Sequence, residues 1–93
     1  MVSRIAVVGS PVGLHARPAT RFVRAAADTG VSVMVGRPGQ PPVDASSVLM
    51  VMSLGIRGGE QVELTADGEG AEGALEGLAE LLAQDLDDSS AKA

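Results

Sequence analysis

Apolar and polar positions along this chain of 93 residues fall into short rhythms that change period several times. Ile5 to Val8 is an apolar run closed by Gly9-Ser10-Pro11, which predicts a first strand. Gly13 to Pro18 is loop-like and leads into a helix, because proline is tolerated in a first helical turn, where its missing N–H would have no partner. Ala19, Phe22, Val23 and Ala26 then share one helical face, and Asp28-Thr29-Gly30 end the helix with a glycine suited to a left-handed cap. Val31, Val33 and Val35 alternate with Ser32 and Met34, the period of a half-buried strand. Gly36 to Pro42 holds three prolines and two glycines in seven residues and predicts a turn or exposed loop, with Val43-Asp44-Ala45 as a short returning strand. Ser46-Ser47 before Val48 to Leu54 is a helix N-cap signal, and Gly55 closes that segment after about two turns. Val62, Leu64 and Ala66 alternate with Gln61, Glu63 and Thr65 as the clearest strand. Ala71, Ala74, Leu75, Leu78, Leu81 and Leu82 form the stripe of a last helix, with Glu69 and Glu72 at its positive end.

The order is therefore β-α-β-β-α-β-α. Strands with one polar face and amphipathic helices are both satisfied by a four-stranded antiparallel sheet with three helices on one face. That is an open-faced β-sandwich of the α/β (α+β) class. Neither an internal repeat nor a dividing linker interrupts it, so residues 1–88 read as one domain and 89–93 as a polar C-terminal tail, fraying from Asp87 onward.

Composition narrows the function. Seven basic residues against twelve acidic ones give a net charge of −5, which argues against a general nucleic-acid binder while leaving room for a local basic patch. The absence of cysteine excludes disulfides and thiolate metal sites, and a domain this small without disulfides suits a reducing compartment. Met1-Val2-Ser3-Arg4 runs straight into a strand pattern, with no signal-peptide stretch and no run long enough to span a bilayer. Cytoplasm is the expected compartment, with no membrane insertion.

His15 is the sole histidine and the one nucleophile candidate. It stands before a predicted helix start, followed by Ala16, Arg17 and Pro18. Free N–H groups and the helix dipole favour an anion there, and the same field favours the neutral imidazole a nucleophile needs. Arg17 can reach back to a phosphate oxygen as a charged donor. The plainer alternative makes His15 a helix cap and Arg17 a solvated charge.

Gly13-Leu14-His15-Ala16-Arg17-Pro18-Ala19 resembles the active-site signature of the HPr family, the histidine-containing phosphocarriers of the bacterial phosphoenolpyruvate:sugar phosphotransferase system. Ser47 to Ile56 resembles that family's regulatory-serine segment. The two motifs, at compatible spacing and with the same element order, cover nearly the whole chain. The resemblance implies that His15 accepts phosphate on Nδ1 from phosphorylated enzyme I and donates it to IIA domains of sugar permeases. It implies that Arg17 stabilises the group in transfer, and that Ala16 and Pro18 set the loop. No cofactor is implied, and a soluble monomer suits a shuttle.

Three further features follow. Val51 and Leu54, three apart, are expected to face the core, leaving Val48, Leu49 and Met52 as an exposed apolar patch, which in the family docks donor and acceptor. The alternative is that they complete a small aliphatic core. Arg21 and Arg24 lie off the Phe22–Val23 face, either as solvated charges or, with Arg17, as a basic strip for acidic partners. Ser47 reads as an N-cap and, by resemblance, as a regulatory phosphorylation site for a seryl kinase and phosphorylase. The loop 36–42 is longer and richer in proline than the family pattern, so the register rests on Met52-Ser53-Leu54-Gly55, with Ser46 as the neighbouring candidate. Rival readings are a same-fold carrier in a nitrogen-regulatory or dihydroxyacetone-kinase relay, and an interaction module for a transcription regulator. One His, no Cys and no acid–base set argue against an enzyme, and a lone His against a metal site.

Overall fold

The computed structural model describes residues 1–84; the tail at 89–93 and the fraying expected from Asp87 lie outside the described residues. Seven elements follow in the expected order: β1 (Val2–Val7), α1 (Ala16–Asp28), β2 (Val33–Gly36), β3 (Val43–Asp44), α2 (Val48–Ser53), β4 (Gln61–Ala66) and α3 (Ala71–Ala83). The strands form one antiparallel sheet in the order β1-β4-β2-β3.

Register explains the two faces. Ala6 opposes Val62, Val33 opposes Ala66 and Val35 opposes Leu64, and all six side chains are buried beneath the helices. The intervening residues Ile5 and Val7 on β1 and Met34 on β2 are exposed on the open face. The period-two pattern thus sends one set of side chains inward and leaves the other wet. Against the inner face α1 buries Ala19, Phe22, Val23 and Ala26, and α3 buries Ala71, Leu75, Leu78 and Leu82. Phe22, wholly buried, is the largest side chain in an otherwise aliphatic core.

Two strands end one residue early, at Val7 rather than Val8 and at Asp44 rather than Ala45, and two strand starts move further. The first strand begins at Val2 rather than Ile5, because the six residues of β4 offer a ladder that continues to the Val2–Ala66 pair. The second begins at Val33 rather than Val31, because the Val31 N–H donates to Thr29 Oγ1 at 3.1 Å and leaves the ladder. That hydroxyl also donates to Ala26 O at 2.7 Å, so Thr29 finishes α1 and turns the chain, with Gly30 in the left-handed region at φ +74°. No helix among the described residues is long and apolar enough to cross a membrane.

Candidate functional site

The loop from Gly9 to His15 is fastened at both ends. The Gly9 N–H donates to Leu82 O at 2.8 Å, and the Leu14 N–H donates to Ile56 O at 3.0 Å. Leu14 is 1 % exposed and acts as the apolar anchor directly before His15. Gly13 makes the close approach possible: its φ is +72°, and a Cβ there would stand 2.1 Å from the Ile56 carbonyl oxygen. The loop therefore lies flat on the Ile56–Arg57 backbone and delivers His15 to the surface. Ser10, within the loop, is buried, its Oγ without a hydrogen-bond partner among the described residues.

His15 occupies the N-cap position of α1 with extended backbone (φ −137°, ψ 146°), is exposed, and makes no side-chain cap hydrogen bond. The reading of His15 as a simple helix cap therefore fails: the imidazole is free for other work. Ala16 follows at φ +53°, the one non-glycine residue among those described in the left-handed region. An L side chain is held there only at a cost of order 1–3 kcal/mol, supplied here by the buried neighbours Leu14 and Pro18 on either side. Pro18 has no N–H, and α1 has no acidic residue in its first turn, so its positive end is open to an anion.

Arg17, Arg21 and Arg24 are exposed, and with Thr20 they line a shallow depression running away from His15 along α1. None of them is in either of the ion pairs found among the described residues, Met1–Asp67 and Arg37–Glu60. The three arginines thus share one depression, with no ion-pair partner among the described residues.

The apolar patch on α2 is displaced from its expected place. Leu49 is 77 % exposed and Met50 43 %, whereas Val48 and Met52 are half-buried and pack against the core. The reason is helical spacing: Val48, Val51 and Met52 stand at i, i+3 and i+4 and share the inward face, with Val51 fully buried at its centre. Leu54 is half-buried beside them. The exposed apolar pair is therefore Leu49 with Met50, a residue that the sequence reading left out of the patch.

Ser47 caps α2, its Oγ accepting from the Met50 N–H at 3.3 Å. Ser46 is engaged differently: both its N–H and its hydroxyl donate to Asp44 Oδ1, at 2.9 and 2.7 Å. These two bonds hold the Asp44 carboxyl below the usual carboxylate range. Ser46 borders a cavity with Ala26, Ala27 and Gly30 at the C-terminal end of α1, whereas Ile56 beyond α2 holds Leu14 at the N-terminal end. The two helices thus run in opposite directions, and Ser47 and His15 lie at opposite ends of the pair. At the His15 end, the Arg37 guanidinium and then the Arg57 N–H bond the Glu60 carboxylate and hold it below its ordinary range.

A family model described as the PTS HPr component phosphorylation site matches residues 2–84. A phosphocarrier protein HPr of Streptomyces coelicolor is 51 % identical over 88 residues, covering 95 % of each chain. Among solved structures, an HPr from Thermoanaerobacter tengcongensis superposes with a TM-score of 0.84 at 31 % identity, covering 96 % of this chain and 99 % of that one. An HPr from Bacillus anthracis gives 0.80 at 36 %, covering 87 % and 95 %. An exposed, uncapped histidine at a helix start, in a chain and fold alike over nearly their full length, makes this protein a member of the HPr family of phosphocarriers.

Proposed function

We propose that the chain relays a phosphoryl group in the sugar phosphotransferase system, taking it from phosphorylated enzyme I and passing it to IIA domains of sugar permeases. The observation that carries this reading is His15 itself: exposed, uncapped, and seated on a helix start with Arg17 beside it. In the transfer, a lone pair on the imidazole, at Nδ1 by family resemblance, attacks the phosphorus of the donor's phosphohistidine. The donor P–N bond breaks as the new one forms, and its electron pair returns to the donor nitrogen. The phosphoryl oxygens, negatively charged throughout, would be held by Arg17 and the open N–H groups of the first turn, which favour an anion. The second transfer repeats the exchange with this chain as donor. A surface phosphoramidate is open to in-line approach, which suits a carrier.

The remaining roles fit the same relay. Leu49 and Met50 on α2 offer an exposed apolar contact and Arg21 and Arg24 on the neighbouring α1 an exposed basic one, a combination that suits a partner with apolar and acidic surface. Phosphorylation of Ser47 by a seryl kinase would place new charge at the start of α2, where the helix tolerates it and docking of Leu49 does not. A monomer of residues 1–88, working in the cytoplasm, is the form that such a shuttle takes.

The test is incubation with phosphoenolpyruvate and purified enzyme I, read by intact mass. Gain of one acid-labile phosphoryl group, lost in a folded His15→Ala variant, is the expected outcome. Phosphorylation of His15→Ala by the same route would overturn the site. A folded wild-type protein that takes no phosphate would move the weight to a relay with its own donor or to a binding module.

A further inference from the structure

We infer that Arg37 is a positioning residue for phosphoryl transfer, locking the docking helix and the His15 loop into one rigid surface. The inference rests on the carrier reading above. Arg37 lies in the proline-rich loop where this chain departs from the family pattern. Its guanidinium is nonetheless the most heavily bonded side chain among the described residues. Nε donates to Glu60 Oε1 at 3.0 Å and Nη2 to Glu60 Oε2 at 3.3 Å, a bidentate pair. Nη1 donates to Leu54 O at 2.7 Å and Nη2 also to Gly55 O at 3.1 Å. Leu54 is the C-cap of α2, a helix with no basic residue in its own last turn. Arg37 thus supplies from the loop just after β2 the cation that the C-terminal end of this helix lacks.

The linkage continues to the site. Glu60 Oε2 accepts from the Arg57 N–H at 2.7 Å, which fixes the backbone just after Ile56. That backbone is the bed of the loop: Ile56 O accepts from the Leu14 N–H, and Gly13 lies against Ile56 and Arg57. One side chain therefore ties together the end of β2, the end of α2 and the strut under His15. A partner resting on Leu49 and Met50 must find the His15 ring in line with its own phosphorus. Small errors in such geometry are costly to the chemical step and far less so to docking. Both members of the ion pair are about two-thirds solvent-shielded, with side-chain exposures of 34 % and 31 %, so the clamp is neither a loose surface contact nor a buried charge.

The experiment is steady-state phosphorylation by enzyme I with the full chain as the varied substrate, at a temperature where each variant is folded by circular dichroism. Arg37→Gln is expected to lower kcat about tenfold with KM nearly unchanged. Arg37→Lys, keeping the charge without the fork, should recover part of the loss. Glu60→Gln should resemble Arg37→Gln, and the double variant should be no worse than either, because both break one linkage. Hydrogen exchange at the Leu14 and Arg57 amides should accelerate in the same variants. A folded Arg37→Gln with wild-type kcat, or with its whole loss in KM, overturns the positioning role. Failure of the wild type to accept phosphate would instead overturn the carrier reading, and the exchange rates alone would then decide whether the clamp exists.

Discussion

Replacing Gly13 by alanine, beside the same change at Gly30, separates two costs that a left-handed glycine can hide. The two residues have nearly the same backbone angle, φ +72° and +74°. A Cβ on Gly30 meets nothing within 4 Å, so Gly30→Ala pays only for the conformation, about 1–2 kcal/mol. A Cβ on Gly13 would stand 2.1 Å from Ile56 O and 2.7 Å from the Arg57 Cα, and neither atom can rotate away. The loop must lift. It then forfeits the Leu14–Ile56 hydrogen bond, worth about 1 kcal/mol, and part of the burial of Leu14, whose full value is about 1.5–3 kcal/mol. Gly13→Ala is therefore expected to cost about 4 kcal/mol, roughly two to four times the Gly30→Ala change. In a domain of this size that is a fall in Tm of roughly 16 °C or more, against about 4–8 °C for each kcal/mol. Urea titration of both variants gives the comparison, and phosphate acceptance measured while both are folded gives its consequence: loss at Gly13, none at Gly30. Equal destabilisation by the two changes would refute the close approach as the reason for Gly13.

Two further predictions test the docking face and the clamp. Leu49→Asp is expected to weaken partner binding at least tenfold while changing stability by less than about 0.5 kcal/mol, because the side chain is exposed and an acid suits the first turn of α2. Met52→Asp instead sets a carboxylate against the core and should lower Tm markedly; thermal melts and a titration with enzyme I distinguish the pair. The Glu60 carboxyl, depressed by Arg37 and the Arg57 N–H, contributes stability that is complete above the ordinary glutamate range and is lost as pH falls through the depressed value. The stability gap between wild type and Glu60→Gln should accordingly be widest near neutrality and close at acid pH, and a gap independent of pH in urea titrations would rule this out.

What could be read from the chain beforehand follows the range of the interaction responsible. The α1 face of Ala19, Phe22, Val23 and Ala26 and the alternation of β4 are short-range patterns, and both stand where the periodicity put them. His15 was legible for the same reason: one residue type at one kind of helix position. The α2 face was misplaced because two turns give too few apolar positions to fix a phase, and pairing Val51 with Leu54 hid the alternative of Val48 with Met52. Val31 left the sheet for a side-chain hydroxyl two residues away, a competition that strand periodicity does not register. Arg37 carries no local signal at all, since its carboxylate partner is 23 residues distant and its carbonyl partners belong to another element. The left-handed Ala16 was equally hidden, because alanine is not a residue that announces such a conformation.

The pairing of β1 with β4 also governs how the protein comes into being. Residues 2–7 are synthesised well before 61–66, which hold their ladder partners among the described residues. The carbonyl that seats Leu14 belongs to Ile56, and the one that holds Gly9 belongs to Leu82. A growing chain therefore carries His15 long before the loop that presents it can be fastened, which requires residues as late as Leu82. Such non-local closure makes folding slower than that of a helical bundle rich in local contacts.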